Sequence, residues 1–159
     1  MTDLQAGLLQ RARRVFSSPN PKKFELLCGI SLVTGLGLVE LVRCEVRGIP
    51  GQQYKCEVVT GIVRSSKGFT LETLLPSDVV LHQLRRLQQL MPSDGLSNKE
   101  INLRWSSSAV ASAKNWIPGA KFIDLVFMYR TILTKGRSTV PGIGRKDDQQ
   151  GGKRKRVHT

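Results

Sequence analysis

Leu26–Val39 reads LLCGISLVTGLGLV, fourteen residues without a charge, and how this run folds decides the fold of the whole chain. It is the longest apolar stretch, and the natural seed of a core. Its length falls short of the roughly 20 residues a bilayer-spanning helix needs. Three glycines and the strand-like residues that follow favour a buried sheet, with strands at about 24–34 and 37–47 around Gly35-Leu36-Gly37.

Downstream of that run, Gly48-Ile49-Pro50-Gly51 reads as a turn. Folding the chain about Pro50 sets Arg43 against Glu57, Glu45 against Lys55, Val42 against Val58 and Cys44 against Cys56. Facing pairs of opposite charge or branched side chains each contribute roughly 0.2–1 kcal/mol. The pattern predicts a hairpin near 37–65, with a bulge able to shift its register. A further strand at 69–74 follows the turn Ser65-Ser66-Lys67-Gly68.

Helical periodicity is plainest at 78–91, where Val80, Leu84, Leu87 and Met91 share one face. Ahead of the core, Thr2 and Gln5 have capping-box spacing, and Leu4, Leu8, Leu9, Ala12, Val15 and Phe16 recur at helical spacing. That gives an amphipathic helix ending in Arg11, Arg13 and Arg14, followed by the linker SSPNPKK. INLRW at 101–105 alternates like a short strand, and SSSAVASAKN at 106–115 suits a short helix. KFIDLVFMYRTILT at 121–134 is rich in branched and aromatic residues and reads as a long strand. Leu125, Met128, Tyr129 and Ile132 also fit a helical stripe, which keeps that alternative open.

The expected architecture is α+β: a mixed or antiparallel sheet of about five or six strands packed by the helix at 78–91. Residues 1–23 would form the basic helix and linker, 24–134 a single core domain, and 135–159 a disordered basic tail.

Charge is the composition's unusual quantity: 25 Lys/Arg against 12 Asp/Glu leave a net +13. Residues 1–23 carry +4 and residues 135–159 carry +6, whereas 24–134 carry only +3. Basic ends on a nearly balanced centre suit contact with a polyanion, since neutralising phosphates releases counterions. Arg11, Arg13 and Arg14 form one candidate nucleic-acid contact. Arg145, Lys146, Lys153, Arg154, Lys155 and Arg156 form another. Lys153–Arg156 is also a compact run of the nuclear-localisation type, so an import receptor is a candidate partner.

Cys28, Cys44 and Cys56 make no CxxC and have no histidine at ligand spacing, so neither metal nor cofactor is expected. No nucleophile elbow, phosphate loop or recognisable carboxylate pair stands out. The reading is therefore a non-enzymatic protein that binds nucleic acid, RNA or DNA, or a nucleoprotein through its basic termini. A matrix-type protein of viral kind, self-associating and bridging nucleoprotein to an acidic membrane, is the alternative. An enzyme with a spatially assembled site is the third. The opening MTDLQAGLLQRARR lacks a secretory signal, which predicts an intracellular protein, nuclear or shuttling.

Overall fold

The computed structural model describes residues 1–60 and 68–139. Three helices come first: α1 (Asp3–Ser17), α2 (Lys23–Thr34) and α3 (Leu38–Arg43). Strands β1 (Glu45–Gly48), β2 (Lys55–Thr60) and β3 (Phe69–Glu72) follow, and then α4 (Ser77–Leu90), α5 (Asn98–Trp116) and α6 (Phe122–Thr139). The class is α+β. Its sheet, among the described residues, is antiparallel with three strands in the order β1-β2-β3, not the five or six expected.

The missing strands are helices, and the reason differs at each. Leu26–Thr34 is buried residue after residue because α2 runs through the middle of the protein, touching α1, α4, α5 and α6. A helix enclosed on all sides shows no apolar stripe, so its run of apolar residues looks like that of a buried strand. Gly35 ends it in the left-handed region (φ 72°), its N–H donating to the Ser31 carbonyl. A side chain there would run into the ring of Tyr129, so glycine is required both by conformation and by space. Two residues on, the Gly37 N–H donates to Glu40 Oε1 at 3.0 Å and α3 begins.

The hairpin exists, with its centre two residues later than folding about Pro50 implies. Arg47 faces Glu57, Val46 faces Val58 and Gly48 faces Cys56, with a register shift between Glu45 and Val46. The loop turns where Gly51 has φ 79° and the Gln52 N–H reaches the Ile49 carbonyl. Val42 and Arg43 were expected in the strand but complete α3, so they have no place opposite β2. Residues 61–67, with most of the expected turn before β3, lie outside the described residues.

At 101–105 the expected strand is part of α5. Ser97 and Glu100 form a capping box, the Ser97 hydroxyl accepting from the Glu100 N–H and the Glu100 carboxylate from the Ser97 N–H. Ile101, Trp105, Ala109, Ala113 and Trp116 then face inward at helical spacing, and Leu103 points to solvent. In α6 the helical stripe also prevails: Leu125, Val126, Tyr129 and Ile132 are buried, with Ile123 and Phe127 exposed. Packing on α2 and α5 overrides the strand preference of the individual residues. Helix α6 extends to Thr139, and residues 140–159 lie outside the described part.

Helices α1 and α4 form as the periodicity predicts. Thr2 and Gln5 make the capping box, and Leu8, Leu9, Ala12 and Phe16 join the same hydrophobic cluster as α2. Among the described residues no helix is long and apolar enough to cross a membrane.

Candidate nucleic-acid interface

The corner where α1 ends and α2 begins brings together more cations than the sequence reading anticipated, and it is held in place from beneath. The last carbonyls of α1 lack partners within their own helix. Gln83 and Arg86 of α4 supply them: Gln83 Nε2 donates to the Phe16 carbonyl at 3.1 Å and Arg86 Nη2 to the Ser18 carbonyl at 2.9 Å. Arg86 thus spends its donors on fixing this turn.

Arg11 is the second fastening. It lies 4.5 Å over the Trp116 ring and donates through Nη2 to Glu25 Oε1 at 2.8 Å, and through Nη1 to the Asn115 carbonyl. Glu25 Oε2 also accepts from Trp116 Nε1 at 2.8 Å and from Ser112 Oγ at 3.1 Å. One carboxylate thereby ties α1, α2 and α5. Burial acts to raise the Glu25 pKa, but the hydrogen bonds from Arg11, Trp116 and Ser112 and the Arg11 charge outweigh it and leave it lowered.

Two clefts open on this corner. The smaller, about 290 Å³, is bounded by Arg14, Ser18, Asn20, Lys22 and Glu25. The larger, about 640 Å³, is bounded by Arg11, Lys22, Lys23, Glu25, Ser108 and Ser112. Arg14, Lys22 and Lys23 are exposed, and Arg11 is half-buried. The lysines were read as part of a linker. No capping side chain marks the start of α2, since Lys22 is the N-cap and Pro21 lies before it, which leaves Glu25 in the first turn as the local signal.

Position makes these lysines unusual. Lys22 is the N-cap of α2 and Lys23 its first residue, with no side chain capping the free N–H groups. The helix dipole puts partial positive charge there, so two cations oppose it, at roughly 0.3–1 kcal/mol each. Only Glu25 in that turn has the favourable sign.

Of the residues singled out from sequence, Arg11 and Arg14 line the corner and Arg13 lies exposed on α1. Arg145, Lys146, Lys153, Arg154, Lys155 and Arg156 lie outside the described residues. All three cysteines are buried and free. Burial pushes the thiols of Cys28 and Cys44 up to about 12 and that of Cys56 to about 11, which removes them as nucleophiles near neutral pH. No group of three or more His, Cys, Asp or Glu side chains able to hold a metal ion occurs among the described residues.

By sequence, the chain matches no family model and no curated protein. Its fold does match solved structures. A mutant of protelomerase TelA complexed with a DNA hairpin product superposes with a TM-score of 0.70 at 14% identity, covering 87% of this chain and 50% of that one. TelA covalently complexed with substrate DNA gives 0.69 at 14%, over 86% and 48%. Protelomerase TelK complexed with substrate DNA gives 0.68 at 13%, over 84% of this chain but 30% of that one. The chain therefore spans about half the length of the TelA chains, and less of TelK. These neighbours are DNA-processing enzymes, so the expectation of a non-enzymatic protein is corrected: it rested on the absence of recognisable motifs, and a spatially assembled site leaves none in the sequence. What the likeness shows for this chain is the fold, shared with one part of the protelomerases.

Proposed function

We propose that this chain is a DNA-binding domain that engages the duplex backbone through the α1–α2 corner. The observation that carries the reading is the placing of Lys22 and Lys23 against the positive end of α2, beside Arg14 and two open clefts. Local stability argues against cations there, and departures from local stability rules concentrate at functional sites. The fold's occurrence in DNA complexes favours DNA over RNA or lipid as the polyanion. The tail cations Arg145, Lys146 and Lys153–Arg156 add sequence-independent phosphate contacts and raise the salt dependence. Their import role, and association with acidic membrane, have no support from the fold.

The test is binding of a mixed-sequence duplex across a salt series by the full chain and by a Lys22→Glu/Lys23→Glu variant, with thermal unfolding to confirm folding. The reading expects the variant to bind more weakly, with a salt slope reduced by about 2 or more. Equal affinity and slope would refute it.

DNA strand processing is the second reading, favoured by the covalent complexes of the fold's neighbours. Incubation with duplex DNA, denaturation in detergent and electrophoresis should then show a protein–DNA species that survives. All three cysteines are buried, so the reading expects no thiol linkage in that species.

A further inference from the structure

We infer that the α1–α2 corner holds two successive phosphates of one strand, one in each cleft, with Lys22 serving both. This rests on the DNA-binding reading and specifies what the corner grips.

The two clefts are neighbours with unequal cations. Arg14 lines only the smaller and Lys23 only the larger, whereas Lys22 and Glu25 line both. The two shared residues place the clefts side by side. Successive phosphates along a strand are separated by one nucleotide, so adjoining clefts suit consecutive groups.

Glu25 lies where the two clefts meet, its carboxylate already paired with Arg11 and hydrogen-bonded to Ser112 and Trp116. The smaller cleft offers an anion Arg14 and Lys22, and the larger offers Lys22 and Lys23. The Ser108 hydroxyl lines the larger cleft as a further donor. Arg11, already committed to Glu25, holds that carboxylate more than it grips the strand. The recognised class is a phosphodiester chain, in which anions repeat at fixed spacing.

The test uses the full chain at low salt and two probes, a deoxynucleoside 3′,5′-bisphosphate and the matching 5′-monophosphate, with affinity read by calorimetry or NMR shifts. Joining two ligand groups makes the second contact intramolecular, so the bisphosphate should bind at least about tenfold more tightly. Arg14→Met and Lys23→Met should each cut the bisphosphate to near the monophosphate's affinity, while thermal unfolding shows both variants folded. Equal affinity of the two probes for the wild-type chain, or a bisphosphate advantage that both variants retain, overturns the two-phosphate site. If the advantage depends on Arg14 and Lys23 but duplex DNA does not bind, the paired site stands and the duplex reading falls.

Discussion

The two ends of α2 meet opposite surroundings. At the C-terminal end the Thr34 hydroxyl donates to the Ile30 carbonyl and accepts from the Leu36 N–H, Ser31 donates to the Leu36 carbonyl, and the Tyr129 ring covers Gly35. Every polar group just named is turned inward and satisfied. At the N-terminal end Lys22 and Lys23 stand exposed, uncapped, against the helix dipole and beside two clefts. One helix thus divides its duties: its closed end holds the fold together, and its open end keeps charge available. Substitutions at the two ends should separate stability from binding.

The largest effect belongs to the closed end. Leu32 is fully buried, and Leu32→Ala should cost about 2–5 kcal/mol in urea unfolding, with the DNA affinity of the remaining folded protein unchanged. Gly35→Ala should follow at about 2–4 kcal/mol, combining left-handed strain with the collision against Tyr129. A tolerated Gly35→Ala would mean that α6 can shift and that this end is not closed.

The open end should respond with the opposite sign. Lys22→Met and Lys23→Met should each leave stability unchanged or raise it by up to about 1 kcal/mol, since a cation leaves the helix N-terminus. Each should lower the slope of log affinity against log salt by about 1. Loss of stability together with binding would show the lysines to be structural.

Glu25 gives the smallest and most pH-dependent effect. Its folded pKa is depressed below the usual 4.5, so ionised Glu25 contributes stability that is present above the unfolded value and lost as pH falls through the folded one. The stability difference between wild type and Glu25→Gln should accordingly be constant above pH 4.5 and shrink on acidification below it. A difference that stays flat through that range would place the clasp's worth in packing around Trp116.

Legibility in the sequence followed local signals. Helices α1 and α4 were readable because each buries one face and leaves the other wet, so Leu8, Leu9 and Ala12, or Val80, Leu84 and Leu87, recur with helical spacing. For α2 there was no such contrast, because Leu26–Thr34 is buried all round. At α5 the alternation in INLRW pointed to a strand and the Ser97–Glu100 capping-box spacing ahead of it went unused, and only packing decides that Leu103 faces out. At the corner, Arg11 and Arg14 were visible as basic residues. Which of them turns inward to Glu25 depends on Ser112, Asn115 and Trp116, about a hundred residues away, and no local pattern carries that information.

The most direct test sets the chain's two basic regions against each other. Duplex binding across a salt series would be measured for the full chain, for a chain ending at Thr139, and for each with Lys22→Glu/Lys23→Glu. The account predicts that truncation lowers affinity and slope yet leaves binding that the corner substitutions abolish. It is contradicted if truncation removes all binding while the corner substitutions, made in the full chain, change nothing.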